Sequence, residues 1–378
     1  MCTKSYCINS WQQYKNRTMK RIFFIIFIFI LFNCTNEKSK IIYHQNLDFI
    51  WENEGINWNA TSLTLNEGNI YGHTLNDSIF KLDFKTGNVI WTKYLRGTYS
   101  NEFPKIQKGK VFFSGAENII ALDKKGQMLW SEITNVKTIG LTLNDSLLFN
   151  TRTDEGLFAN RTKNGKELWS IKPEYQMLSM SNPSIIDSLL ILGNFDYLKN
   201  IGNHLTCINI NNQKVKWKIE NRGYSNGKSI IENNHLIINS DSAYQKGFTN
   251  KIDLLTGKIL WKTNTNPIIF YKSKIYNNKV FVPSYRNGIV CINNNTGKIL
   301  WKLNKEFYPN TKLVFHKNIL FFGTTNSKLI GINEKGEIVF KSNFEYGIGN
   351  PFIYKNNIYV NDGGGKLFKI KNTVANTV

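Results

Sequence analysis

The sequence predicts an all-β chain, an eight-bladed β-propeller of four-stranded antiparallel blades closed by its own N-terminal strand. Three observations carry that prediction. First, Trp91, Trp130, Trp169, Trp217, Trp261, Trp301 and Phe340 recur at intervals of 39, 39, 48, 44, 40 and 39 residues. A period near 40 with strand-like content marks a ring built one blade per repeat. Second, each anchor ends the same phrase, seen as KLDFKTGNVIW, ALDKKGQMLW, ANRTKNGKELW, CINNNTGKILW and GINEKGEIVF. Third, the last repeat lacks this phrase, whereas residues 47–51 (LDFIW) supply its final strand at the other end of the chain, placing Trp51 one 40-residue period before Trp91. A blade completed from both ends closes the ring and removes the exposed sheet edges of an open array. Seven blades with a stray N-terminal strand is the alternative.

The elements follow in order. Residues 1–33 read as a signal peptide. Met19, Lys20 and Arg21 precede an apolar run, residues 22–32, too short to span a bilayer comfortably, and Met19 is an alternative start. Residues 31–34 (LFNC) resemble a bacterial lipobox in which Cys34 is lipidated, with a plain cleaved signal or an uncleaved anchor as alternatives. Residues 34–46 form a polar tether, residues 47–372 the propeller and residues 373–378 a tail. Within the propeller the recurrent phrase is a hairpin. In the second repeat residues 119–123 alternate as a strand, Lys124, Lys125 and Gly126 turn the chain, and residues 127–132 return. Glycine falls at this turn in six repeats. Asp83, Asp123 and Asp253, replaced by Asn209, Asn293 and Asn333 elsewhere, are placed to bond the turn backbone. The aromatic that follows buries roughly 150–250 Å² as a wedge between blades. Two shorter strands precede each phrase, about residues 104–107 and 111–114 in the second repeat and residues 312–315 and 319–322 in the seventh. The last repeat has strands near residues 352–354, 358–361 and 366–370 and then lacks its tryptophan strand.

The A-L-D-x-x-x-G-x-x-x-W phrase resembles the repeat of the pyrroloquinoline-quinone (PQQ)-type β-propellers over residues 47–370, and it lacks the Gly-His and Trp-Asp dipeptides of WD40 repeats. The resemblance is specific for fold. The family holds quinoprotein dehydrogenases and non-catalytic scaffolds, including a lipoprotein subunit of outer-membrane β-barrel assembly. The dehydrogenases carry adjacent cysteines against the cofactor and a calcium-bound catalytic carboxylate. This chain has no Cys-Cys pair. The expectation is therefore the non-catalytic branch, with no cofactor, no metal and no catalytic residue.

Composition limits the remaining classes. The formal charge of +21 falls to +16 on removal of Lys4, Lys15, Arg17, Lys20 and Arg21 with the leader. Positive charge attracts acidic lipid, polysaccharide or nucleic acid, and export argues against nucleic acid. Cys207 and Cys291 occupy the same repeat position two blades apart, which makes a disulfide implausible and small core side chains the expected role. His44, His73, His204, His235 and His316 are dispersed without metal-ligand spacing. Asn182, Asn226 and Asn350, each before an innermost strand, are expected to bond local turns around the channel mouth, as is Asn101.

The repeats diverge most on the side that collects blade-to-blade connections. Residues 172–182, 194–203, 220–227 and 240–247 are wide there and bring Tyr175, Phe195, Tyr197, Lys199, Arg222, Tyr224, Tyr244 and Lys246, joined by Tyr285 and Arg286 of the sixth repeat. Aromatic and Arg side chains on one rim suit a protein interface. The expected function is a monomeric, lipid-anchored envelope propeller of the outer membrane that binds a protein partner, with barrel-assembly components as candidates. The alternative is a surface lipoprotein that binds carbohydrate or another small ligand through the rim.

Overall fold

The computed structural model describes residues 47–53, 63–74, 77–96, 104–134, 136–172, 179–180, 183–195, 204–220, 229–242, 246–268, 271–303 and 306–370. Eight antiparallel sheets follow one another along these residues. Each is called a blade, with strands a to d from first to last. Blade 1 comprises Thr64–Asn66, Asn69–His73, Ser78–Asp83 and Val89–Tyr94; blade 2 comprises Lys105–Gln107, Lys110–Ser114, Asn118–Asp123 and Met128–Ile133. The pattern continues to blade 7, whose last strand is Ile338–Asn343. Blade 8 takes strands a to c from Phe352–Tyr354, Asn357–Asn361 and Lys366–Ile370, and its strand d is Leu47–Glu52. Leu47 pairs with Ile370 and Glu52 with Lys366. The eight-bladed closure expected from Trp51 is thus the observed topology, and the seven-bladed alternative falls.

Local chemistry explains the hairpins. Outside blades 3 and 4 the a–b turns are two-residue connections with positive φ at both central positions, as at Asn277 (45°) and Asn278 (57°) or Lys317 (47°) and Asn318 (63°). This mirror-image turn matches strand twist and favours Asn and Gly. At the c–d turns the Asp83 carboxylate accepts the backbone N–H groups of Lys85 and Thr86 and the Thr86 hydroxyl, and Asp253 and Asn293 repeat the arrangement. Those backbone bonds hold the Asp83 carboxyl below its ordinary pKa.

The core sits between blades. Eight apolar clusters occupy the eight blade junctions, each drawing on two neighbouring sheets. The anchors of the phrase bridge these junctions. Trp51 donates its indole N–H to the Phe84 carbonyl at 2.8 Å, Trp217 to Leu254 at 2.8 Å, Trp261 to Asn294 at 2.9 Å and Trp301 to Glu334 at 3.0 Å, always in the c–d turn of the next blade. Trp91 and Trp130 make longer versions to Lys124 and Thr162, at 3.3 and 3.2 Å. Trp169 packs against the Leu190, Leu192 and Ile208 cluster of blade 4, and Phe340 is buried beside Leu47 and Ile370. The aliphatic residues directly before the tryptophans of blades 1, 2, 5 and 6 stay on the perimeter: Ile259 and Leu260 are 42% and 45% exposed. Strand d is the outermost strand, so only its inward-reaching aromatic finds a full neighbour.

Antiparallel order places all a–b and c–d turns on one side, the turn face, and all b–c loops and d–a connections on the other, the loop face. Leu47 enters strand d on the turn face. Cys207 and Cys291 are free, fully buried thiols in strand c of blades 4 and 6, and burial pushes them up to about 11 and about 12. One expectation needs correction. Parts of the wide segments 194–203 and 240–247, expected as loops, are strand. In blade 5 His235–Ser242 and Lys246–Asp253 stay paired out to Ser242 and Lys246. In blade 4 the short strand Ser179–Met180 pairs with Asn194 and Phe195, adding a fifth strand. Continued backbone pairing satisfies polar groups that a free loop would leave to water.

Candidate functional site

The loop face over blades 3 to 6 is assembled from the ends of these lengthened strands. Phe195 ends strand b of blade 4 opposite Ser179, and Lys246 opens strand c of blade 5 opposite Ser242. Tyr285, half-buried, and Arg286, exposed, form the b–c turn of blade 6 between Lys279–Ser284 and Gly288–Asn293. Tyr175, Tyr197, Lys199, Arg222, Tyr224 and Tyr244 lie outside the described residues, as does Cys34.

A bonded seam joins the blade 5 hairpin to the blade 6 turn, and its hub is Asn266, a residue that carries no repeat signal. The Asn266 N–H donates to the Gly247 carbonyl at 3.0 Å, its side-chain oxygen accepts the Gly247 N–H at 3.3 Å, and its carbonyl accepts the Tyr285 N–H at 3.0 Å. A Cβ on Gly247 would lie 2.4 Å from Pro267 Cδ, so the hairpin and the connection meet backbone to ring. Ser284 closes the seam by donating its hydroxyl to the Thr265 carbonyl at 2.7 Å and accepting the Arg286 N–H at 3.4 Å. Lys246, Tyr285 and Arg286 therefore stand on one braced ridge. Beside it the Lys262 ammonium lies 4.3 Å from the Phe248 ring centre.

Aromatic residues continue around this face beyond the expected sector. Tyr94, Tyr308 and Tyr346 are 69%, 36% and 47% exposed at the end of strand d or in d–a connections of blades 1, 6 and 7. Toward blade 3 the rim is built differently. Arg152, 5% exposed, donates to Glu132 at 2.6 Å and to Asn150 at 2.9 Å, and its guanidinium lies 3.8 Å from the Phe158 ring centre. Asn160 donates to the second Glu132 oxygen at 2.6 Å and accepts from Asn150 at 2.7 Å. This network locks blade 2 to blade 3. Buried ion pairs hold only when every member is satisfied, which identifies Arg152 as a strut and not a binding group. Asn350, one of the expected channel residues, is also a strut, accepting the Lys312 N–H at 2.6 Å. Among the described residues, no three His, Cys, Asp or Glu side chains cluster in a way that could hold a metal ion, and no helix is long and apolar enough to cross a membrane.

Fold and site together define a class: a closed eight-bladed propeller with PQQ-type repeats whose variable segments gather on one face. The model of the family described as outer membrane protein assembly factor BamB matches residues 48–135, 115–267 and 286–377. The chain belongs to this family. Among solved structures, BamB from Moraxella catarrhalis superposes with a TM-score of 0.68 at 14% identity, covering 85% of this chain and 99% of that one. A europium-containing methanol dehydrogenase superposes with a TM-score of 0.68 at 13% identity over 83% and 84% of the two chains. The computationally designed protein Ika8 gives 0.67 at 14% identity over 85% and 99%. At these identities the likeness is one of fold, shared by a barrel-assembly protein, an enzyme and a design. No curated protein sequence matches the chain.

Proposed function

We propose that the chain is an exported, lipid-anchored scaffold that holds a protein partner on its loop face and catalyses no reaction, with outer-membrane protein assembly as its setting. The observation that carries this reading is the braced ridge that bears Lys246, Tyr285 and Arg286 on the face to which the sequence assigns the inserted aromatic and basic segments. The family match supplies the setting. Two further facts support it. Leu47 enters the ring on the turn face, so a tether leaving there would keep the loop face clear. The chain also lacks the adjacent cysteines of the catalytic branch.

The test is a crosslinked pull-down from intact membranes. Replacing Tyr197, Arg222, Tyr224, Tyr244, Tyr285 and Arg286 with Ala should remove partner capture while leaving the melting temperature nearly unchanged. Interface anchors of these types commonly contribute ~2–4 kcal/mol to binding, and loop truncations barely touch stability. Replacing Lys108, Lys317 and Lys355 on the turn face should leave capture intact. Capture that survives the first set, or is lost with the second, refutes the loop-face reading. Addition of PQQ and calcium should elicit no dehydrogenase activity.

A further inference from the structure

On the turn face, opposite the proposed partner surface, a pocket of ≈ 490 Å³ opens between blades 5 and 6. Its lining includes Lys251 and Asn294, two residues with unmet hydrogen-bonding demands. Lys251, in strand c of blade 5, is only 8% exposed, and its ammonium donates to the Asn294 carbonyl at 3.1 Å. That carbonyl already accepts the Trp261 indole N–H. An ammonium carries three donors, and the remaining ones belong to the pocket. Burial pulls the Lys251 pKa down, opposed by the charge of Glu232, which stands exposed at the pocket's lip. The second group is the Asn294 side-chain oxygen, a buried acceptor with no hydrogen-bond partner. A cation seeking an acceptor thus adjoins an acceptor seeking a donor.

One ligand chemistry meets both demands. A carboxylate would take the Lys251 ammonium in a charge-assisted bond, and a hydroxyl on the same molecule would donate to the enclosed Asn294 oxygen once that side chain turns toward the pocket. Ile237 and Ile275 add apolar wall that suits the C–H face of a sugar ring, and the Asn277–Asn278 turn brings amides to the mouth. The volume falls within the ~300–1,000 Å³ of small-molecule sites and exceeds what a lone inorganic anion fills. The formal charge of +21, still +16 without Lys4, Lys15, Arg17, Lys20 and Arg21 of the leader, draws polyanions toward the surface. We propose that this pocket binds an acidic sugar unit, a uronate of a polysaccharide, through Lys251 and Asn294.

Blade 1 supplies an internal control. Lys81 donates to the Lys124 carbonyl at 3.0 Å, and the same carbonyl accepts the Trp91 indole, so its inter-blade bond copies that of Lys251. Titration of the full-length protein with digalacturonate, followed by calorimetry, should show saturable binding that a neutral digalactoside does not reproduce. Lys251→Met should weaken binding by about ten-fold or more, since a charge-assisted bond is lost. Lys81→Met should bind as the unaltered protein does. Asn294→Ala keeps the backbone carbonyl and should weaken binding too, which secures the test if Lys251→Met fails to fold. Absence of digalacturonate binding, equal binding of the neutral sugar, displacement by sulfate at equal concentration, an unaffected Lys251→Met or an equally impaired Lys81→Met would each overturn the proposal. Partner capture on the opposite face is unaffected by any of these outcomes.

Discussion

At Gly297 the chain turns with φ 72° directly beneath the Trp261 ring, and a Cβ there would lie 2.8 Å from the indole Cγ. Gly297→Ala therefore meets two penalties, a left-handed backbone and an overlap with a packed ring. It should cost roughly 2–4 kcal/mol in urea unfolding. The equivalent position in blade 4 is Gln213, which holds φ 59° without being glycine. Gln213→Gly should relieve strain and raise stability by about 0.5–1 kcal/mol; a loss of stability would show that the Gln213 side chain has a role of its own. His73 gives a pH dependence. It is 2% exposed, and burial pushes its imidazole down to about 4, so the folded protein keeps it neutral. The unfolded chain protonates it near pH 6.5 and therefore binds the extra proton first as pH falls. Stability is fully present above pH ~6.5 and is lost progressively toward pH ~4, by roughly 3 kcal/mol at most. His73→Gln should flatten that part of the stability profile measured between pH 7 and 5.

Among the elements, strand d of blade 8 has the largest single task. It completes a sheet, contributes Leu47 to the junction with blade 7 and sends Trp51 into the junction with blade 1. Deleting residues 47–52 should lower stability by several kcal/mol, and Trp51→Ala alone by about 3–5 kcal/mol, because a large cavity opens and an indole bond disappears. A deletion variant that melts like its parent would contradict the closure. These elements were legible because glycine, Asp or Asn and tryptophan hold fixed places in most of the hairpins and repeat with the blade. Most of the site was not. Asn266 works through its backbone and one side-chain oxygen in a connection without a period, so a lone Asn there carries no signal. Glu132 and Arg152 meet across two blades, and only the fold reveals that a charged pair replaces apolar packing there. The sequence reading named Tyr285 and Arg286 because an aromatic and an Arg stand side by side in the repeat next to the widened ones. It missed Tyr94, Tyr308 and Tyr346 because single aromatics at loop tips look like ordinary surface. Hydrophobic triplets such as Ile259-Leu260-Trp261 suggest three core residues, yet the outermost strand buries only the last.

For the whole molecule, the proposed lipid anchor has a checkable consequence. A diacylated Cys34 would supply the two chains that stable membrane attachment requires. Metabolic labelling with a palmitate analogue should mark the protein, and Cys34→Ser should abolish the mark and release the protein from membranes. Equal labelling of both would point to an uncleaved anchor instead.

The pairing of Leu47–Glu52 with Lys366–Ile370 also sets the order in which the molecule is made. The strand that finishes blade 8 is translated before blade 1, and its neighbour is translated after blade 7. At ~10 residues per second the early strand waits on the order of half a minute for its mate. Seven blades can form in sequence from local hairpins, but the circle stays unlatched until the final blade arrives. Contacts between such distant stretches form slowly. Under the export proposed above, a ring that cannot lock during synthesis would be fastened only after both ends had crossed the membrane.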